Sequence, residues 1–309
     1  MTLIGARFVQ FAGAMVLWGS PLFFLYGTRD GPPAHLRRSS WELRLVQTAA
    51  VTVLVGAIVW VLAETASMSD LPTDSIDIAA LWIVLSQTRF GLACLVRLGL
   101  IMLALVTALS LRRARLLWTL EAALGCAITL SFAWTGHGAS DMGRTAGIQL
   151  GADLLHLLSA GVWVGALVPL TVLVIRARRS PRLADVQNLR FALQAFSSIG
   201  VWVVAVLVLS GIINSLSLMD RQDWRMSLTT LYARVLFVKL TLFFAMLGLA
   251  TFNRYRAVPL LEIGLERGTA STGSLSRIRL SLIFETLLAA LVLLTVSWLG
   301  TLAPPMSQA

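Results

Sequence analysis

Eight apolar runs, each long enough to cross the hydrocarbon core of a bilayer at about 20 residues per span, alternate along this chain with short polar segments. They cover approximately Arg7 to Gly27, Leu43 to Ala63, Phe90 to Leu111, Leu116 to Thr135, Ile148 to Ile175, Phe191 to Leu218, Leu231 to Thr251 and Ile278 to Leu302. Runs of this length predict transmembrane helices rather than buried strands. The intervening segments are too short for a soluble domain, and RGTASTGSLS (Arg267 to Ser276) reads as a linker. The pattern predicts an all-α polytopic membrane protein with a single membrane domain over residues 1–309.

Composition agrees: of the 309 residues, 57% are hydrophobic and only 13% charged, against roughly 25% charged in soluble proteins. A net charge of +10 would suggest nucleic acid in a soluble protein, but here the basic residues serve orientation and no nucleic-acid partner is expected. Arg29, Arg37, Arg38 and Arg44 fill the first loop, and Arg112, Arg113 and Arg115 the third. Arg176, Arg178, Arg179, Arg182 and Arg190 fill the fifth, and Arg254, Arg256, Arg267, Arg277 and Arg279 the seventh. The second loop, ETASMSDLPTDSID, is acidic. The positive-inside rule therefore places both termini outside, in the periplasm of a bacterial envelope. MTLIGARFVQF lacks a basic n-region and a cleavage site, so the first span is expected to be retained. Cys94 and Cys126 lie within spans and offer no CxxC motif.

The informative positions are the polar residues in or beside the spans: Arg97, Glu121, Asp153, His156, Asn214, Lys239 and Glu285. An ionised side chain at the bilayer centre costs roughly 2.5 to 3.5 kcal/mol on insertion scales, so each needs a partner or a polar cavity. Asp153 and His156 stand three residues apart, on one face of the fifth helix and near its outer end. His137, in the preceding loop TGHGASDMG, is within reach of the same rim. Imidazole and carboxylate facing an oxidising exterior suit copper or zinc, with copper(II) favoured by affinity order. Two roles stay open for Asp153: metal ligand, or counter-ion to Arg97 or Lys239.

Methionine thioethers are soft donors for copper(I). Met102 and Met246 lie inside spans and Met142 in the outer loop, so they are secondary candidates alongside a plain packing role. Glu121 and Glu285, in the inner third of their helices, read as proton-coupling groups or the inner end of a cation path, or as side chains that snorkel to the surface or pair with a cytoplasmic arginine. No P-loop, HExxH or GxSxG pattern occurs, so nucleotide-driven pumping and hydrolysis are not expected. Bis-histidine haem ligation is disfavoured because His156 is the one histidine inside a span, although a His/Met pair stays open.

Several stretches carry a resemblance: RFVQFAGAMVLWGSPLFFLYG, SQTRFGLACLVRLGL, TGHGASDMG, DLLHLLSAGVWVGAL, FSSIGVWVVAVLVLSGIINS and LYARVLFVKLTLFFAMLGLATFNRYRAVP. Together they resemble the CopD/PcoD family of bacterial inner-membrane copper resistance proteins over nearly the whole chain. The resemblance implies eight helices, copper as the ion handled, and a small periplasmic CopC-like copper carrier as partner. It maps the site onto His137, Asp153 and His156. In LYARVLFVK, Tyr232, Arg234 and Lys239 take the family's conserved-pattern places. The expected function is acceptance of copper at the periplasmic face and movement across the inner membrane, inward, without catalysis. The alternatives are a haem or quinone redox protein acting on copper, and a non-transporting anchor for the carrier.

Overall fold

The computed structural model describes residues 1–29, 31–32, 40–68, 78–135, 146–179, 182–218, 230–266 and 272–302. Among them there are helices and no strands. The helices are α1 (Thr2–Tyr26), α2 (Trp41–Met68), α3 (Ile78–Gln87), α4 (Arg89–Ser110) and α5 (Ala114–Leu130), the last ending in a 3-10 turn, Ser131–Thr135. They continue as α6 (Ala146–Arg179), α7 (Leu183–Leu218), α8 (Leu231–Phe252), α9 (Val258–Glu266) and α10 (Thr272–Leu299). Eight of them are long and apolar enough to cross a membrane.

The spans agree with the hydrophobic pattern, and the differences lie at their ends. Charged residues at the interface do not stop a helix whose other face is packed, so α6 runs on through Arg179 and α7 begins at Leu183 rather than near Phe191. The seventh span passes Thr251 into a π-helical turn, Asn253–Ala257, and then α9. Beside the acidic second loop lies α3, ten residues and too short to cross. It folds back tightly on α4: a Cβ at Gly91 would lie 2.0 Å from the Val84 carbonyl oxygen. Thr88 caps α4, its Oγ1 accepting from the Gly91 N–H at 2.8 Å.

The bundle is organised around α1, which packs against α2, α5, α6 and α10 and joins both halves into one continuous hydrophobic core. Small residues allow the close approach of α1 to α6: a Cβ at Gly165 would come within 2.4 Å of the Gly19 Cα. Pro169 lies inside α6. Having no N–H, it leaves the Gly165 carbonyl without its helical donor. Ser20 of α1 supplies one, its hydroxyl donating to the Gly165 oxygen at 2.6 Å. Trp18 Nε1 donates to the Leu158 oxygen at 3.1 Å. These bonds fix α6, and with it the Asp153 and His156 face.

Chain direction alternates through the spans, which puts both ends of the described chain at one end of the bundle, where Gly300 abuts the Arg7 guanidinium. At the opposite, arginine-rich end, Arg29 Nη1 donates to Gln187 Oε1 at 2.7 Å. The Arg176 guanidinium lies 6.0 Å from the Trp41 ring centroid there.

Candidate functional site

Helices α6 and α7 run antiparallel in close contact. On α6, residues three apart share a face, and on α7, residues four apart do. Two rungs result. Asn214 Nδ2 donates to Asp153 Oδ1 at 2.6 Å. One turn deeper, His156 Nδ1 lies 3.0 Å from Ser210 Oγ.

The Ser210 hydroxyl has a single hydrogen, and it donates to the Val206 carbonyl at 2.6 Å. Its oxygen is therefore left to accept, and His156 Nδ1 is the donor. This places the imidazole proton on Nδ1 and the lone pair on Nε2, the arrangement that a metal-binding histidine needs. Next to it, Asn214 Oδ1 is buried without a hydrogen-bond partner.

His156 lines two cavities. The smaller, about 70 Å³, also contacts Asn214, Ser215, Tyr232 and Lys239. The larger, about 430 Å³, lies between α7 and α8 and is closed by α6 and α10. Its walls are mainly apolar, with His156, Ser215 and Lys239 as the polar groups at one end and Trp163, Phe243 and Met246 among the deeper ones. Lys239 is within electrostatic reach of Asp153 and of His156. No ion pair within 4 Å joins it to Asp153 among the described residues.

The other sequence candidates fall in different places. Arg97 is fully buried in the other half of the end that carries both chain ends, in a cluster of its own. Its Nε donates to Ser131 Oγ at 2.7 Å, its Nη2 to the Ser131 carbonyl at 3.1 Å and its Nη1 to Gln10 Oε1 at 3.4 Å. The guanidinium also lies 4.2 Å from the Phe132 ring centroid and 5.4 Å from that of Trp60. The structure thus brings Lys239, and not Arg97, beside Asp153. Met246 is buried and lines the larger cavity, whereas Met102 is 51% exposed on the outer surface of α4. His137 and Met142 lie outside the described residues. Among the described residues no three His, Cys, Asp or Glu side chains converge. What they provide together is one imidazole nitrogen, the Asp153 carboxylate and the free Asn214 amide oxygen.

Grouping by residue type in the sequence does not assign Ser210 and Asn214 to this site. The available signal is their spacing in SGIINS, which on an antiparallel neighbour matches the interval from Asp153 to His156.

Toward the arginine-rich end, two carboxyl groups are buried. Glu121 accepts from Thr107 Oγ1 at 2.6 Å, and its second oxygen has no partner. Glu285 accepts from Asn253 Nδ2 at 3.4 Å, and the Asn253 Oδ1 has none.

Comparison with known proteins agrees with this architecture. Residues 1–148 match the family described as Copper resistance protein D-like, N-terminal domain, and residues 190–299 match Copper resistance protein D. The chain is 35% identical over 307 residues to Copper resistance protein D of Pseudomonas syringae pv. tomato, covering 98% of this chain and 97% of that one. It is 29% identical over 306 residues to Inner membrane protein YebZ of Escherichia coli strain K12, covering 98% of each. Copper transport protein CutJ of Bacillus subtilis strain 168 is 30% identical over 174 residues, 55% of this chain and 31% of that one. No solved structure matches.

Proposed function

Because this chain belongs to the copper resistance protein D family, we propose that it accepts copper at the end of the bundle carrying both termini and moves it inward across the bacterial inner membrane. The arginine-rich loops orient that end toward the periplasm. Copper arrives there from a small CopC-like carrier. It is held by His156 and Asp153, with His137 as a third ligand from the preceding loop. The relatives named for copper resistance and copper transport support copper as the cargo.

The observation that carries this reading is the 3.0 Å contact between His156 Nδ1 and Ser210 Oγ. It leaves Nε2 as a fixed nitrogen donor on a residue that lines the large cavity. Asp153 and Asn214 Oδ1 add hard oxygen donors on the outer side. Met246 adds a soft thioether deeper in the cavity wall. A donor set graded from nitrogen and oxygen to sulfur suits an ion that is bound at the rim and released into the core. In this reading the chain carries out no catalytic step, and a gradient drives the movement.

The test is uptake of copper into proteoliposomes containing the purified protein, with copper(I) and copper(II) supplied separately. Protein-dependent uptake by the wild type and its loss in His156→Ala, with normal insertion, is the expected result. Uptake that survives His156→Ala unchanged sinks the site. Absence of uptake by a wild-type protein that binds copper makes the chain an anchor rather than a transporter.

A further inference from the structure

Trp163 stands seven residues beyond His156 on α6, about 10 Å deeper at 1.5 Å per residue. It lines the large cavity on one side and a second cavity of about 220 Å³ on the other. Its ring packs edge-on against Phe243 at 6.3 Å between centroids. The second cavity lies toward the arginine-rich end, between α6, α7, the π-helical turn and α10, and its polar lining is Ser197, Thr251, Asn253, Arg254, Tyr255 and Glu285. At about 30 Å³ per molecule in the liquid, it has room for several waters.

Glu285 is 1% exposed and Asn253 is 7% exposed, so both are built into the wall of this cavity. The π-helical turn that carries Asn253 is a local widening of the helix, a feature that clusters at functional sites. Asn253 gives one donor to Glu285 and keeps a buried oxygen free. No ion pair within 4 Å joins Glu285 to a described residue.

The charged groups on the neighbouring elements include Arg256 on the π-helical turn and, on α10 itself, Arg277 and Arg279; Arg279 stands six residues before Glu285 and has a buried Nε without a hydrogen-bond partner. Among the described residues Arg254, on the π-helical turn, is the one cation lining the cavity, and its Nη1 donates to the carbonyl and hydroxyl oxygens of Ser197 at 2.5 and 3.0 Å. On α9, Glu262 pairs with Arg190 at 3.4 Å and accepts from Gln194. In sequence no titratable residue lies between Arg7 and Tyr26 on α1, between His156 and Arg176 on α6, between Lys239 and Arg254 on α8, or beyond Glu285 to Leu299 on α10. Among the described residues a carboxylate so placed has no ion-pair partner within 4 Å, and an unpaired charge in this setting takes up a proton or an ion.

We propose that Glu285 and Asn253 form a proton-carrying site, which exchanges one proton with the arginine-rich side through the inner cavity. The donors are all hard oxygens, a set that suits a proton and not copper(I). Binding converts the carboxylate to the neutral acid, whose O–H has the free Asn253 Oδ1 as an acceptor within its own cluster. Release returns the proton to cavity water. This deepens the transport reading above by supplying a coupling ion: Glu285 takes up a proton that enters from the opposite side by way of the large cavity and past Trp163, and releases it to the inside through the inner cavity as copper moves inward from His156.

Infrared spectroscopy of the purified protein in lipid, without copper, tests the site. The wild type is expected to show a protonated-carboxyl band that diminishes as pH rises and shifts promptly in D2O. Glu285→Gln removes that component and Glu121→Gln leaves it. If Glu285→Gln fails to insert, Asn253→Leu serves instead, because loss of the amide moves the frequency of the remaining carboxyl. A band unchanged by either variant, or one that exchanges no faster than the component removed by Glu121→Gln, overturns the proposal. In proteoliposomes an inward proton gradient is expected to speed copper uptake by the wild type and not by Glu285→Gln. Equal acceleration in both overturns the coupling. The His156→Ala variant must keep the Glu285 band, so the outer site and the proton site fail separately.

Discussion

His156 Nδ1 lies 3.0 Å from the hydroxyl of Ser210, which donates to the Val206 carbonyl at 2.6 Å, and the Nδ1–H tautomer satisfies both contacts and orients the ring. A group that orients a ligand in this way affects metal affinity without touching the metal. Ser210→Ala is expected to weaken copper binding by about 10- to 100-fold with unchanged insertion and stoichiometry. A competition titration against a chelator of known affinity measures this. Wild-type affinity would mean that His156 is not a ligand.

Asp153 and Asn214 form the rung nearer the start of α6, and removing either partner distinguishes ligand from counter-ion. If Asp153 binds the metal, Asp153→Asn lowers affinity and Asn214→Leu lowers it less, because the carboxylate stays in place with one hydrogen bond lost. The same titration compares the two variants. An Asp153→Asn protein with wild-type affinity but reduced thermal stability would assign Asp153 to Lys239 alone.

Lys239 places a positive charge within electrostatic reach of both Asp153 and His156. It therefore opposes a bound cation at close range. Lys239→Met is expected to raise copper affinity by about tenfold, since a removed repulsion of about 1.4 kcal/mol corresponds to that factor. It is also expected to slow release into the cavity. Copper dissociation followed by stopped-flow transfer to a chelator measures both. A lower affinity in the variant would show that Lys239 holds Asp153 in its binding position.

The extent of the fold was legible because an apolar run of about 20 residues has few other uses. Helix α3 and the extension through the π-helical turn were not, since ten apolar residues or an arginine-flanked turn carry no length signal. Asp153 and His156 were legible as a pair because a three-residue interval fixes a shared helical face. Their partners Ser210 and Asn214 depend on which helix lies alongside and in what register, which hydropathy does not encode. Arg97 illustrates the same limit. Its place inside a span was readable, but its hydrogen bonds to Ser131 and Gln10 and its contact with Phe132 come from packing between distant spans.

That packing makes Arg97 a test of the boundary between site and scaffold. Lys in its place keeps the charge and loses the planar fork that bonds Ser131 twice. Arg97→Lys is expected to lower the thermal stability of the detergent-solubilised protein while the folded fraction keeps wild-type copper stoichiometry. A normal melting temperature with lost copper binding would move Arg97 into the site.

The bond from Ser20 to the Gly165 oxygen exists because Pro169 cannot donate to it. Ser20→Ala therefore leaves a carbonyl unsatisfied in the membrane interior, and the expected loss is about 1 kcal/mol, in the range measured for interhelical hydrogen bonds in membranes. Pro169→Ala restores an N–H at that position, so the same Ser20→Ala change made on the Pro169→Ala background is expected to cost markedly less. The coupling between the two positions is read from a double-mutant cycle of unfolding free energies in mixed micelles. Additive effects would show that the Gly165 carbonyl is not the link between α1 and α6, and that the close approach of Gly19 to Gly165 alone holds the site helix in place.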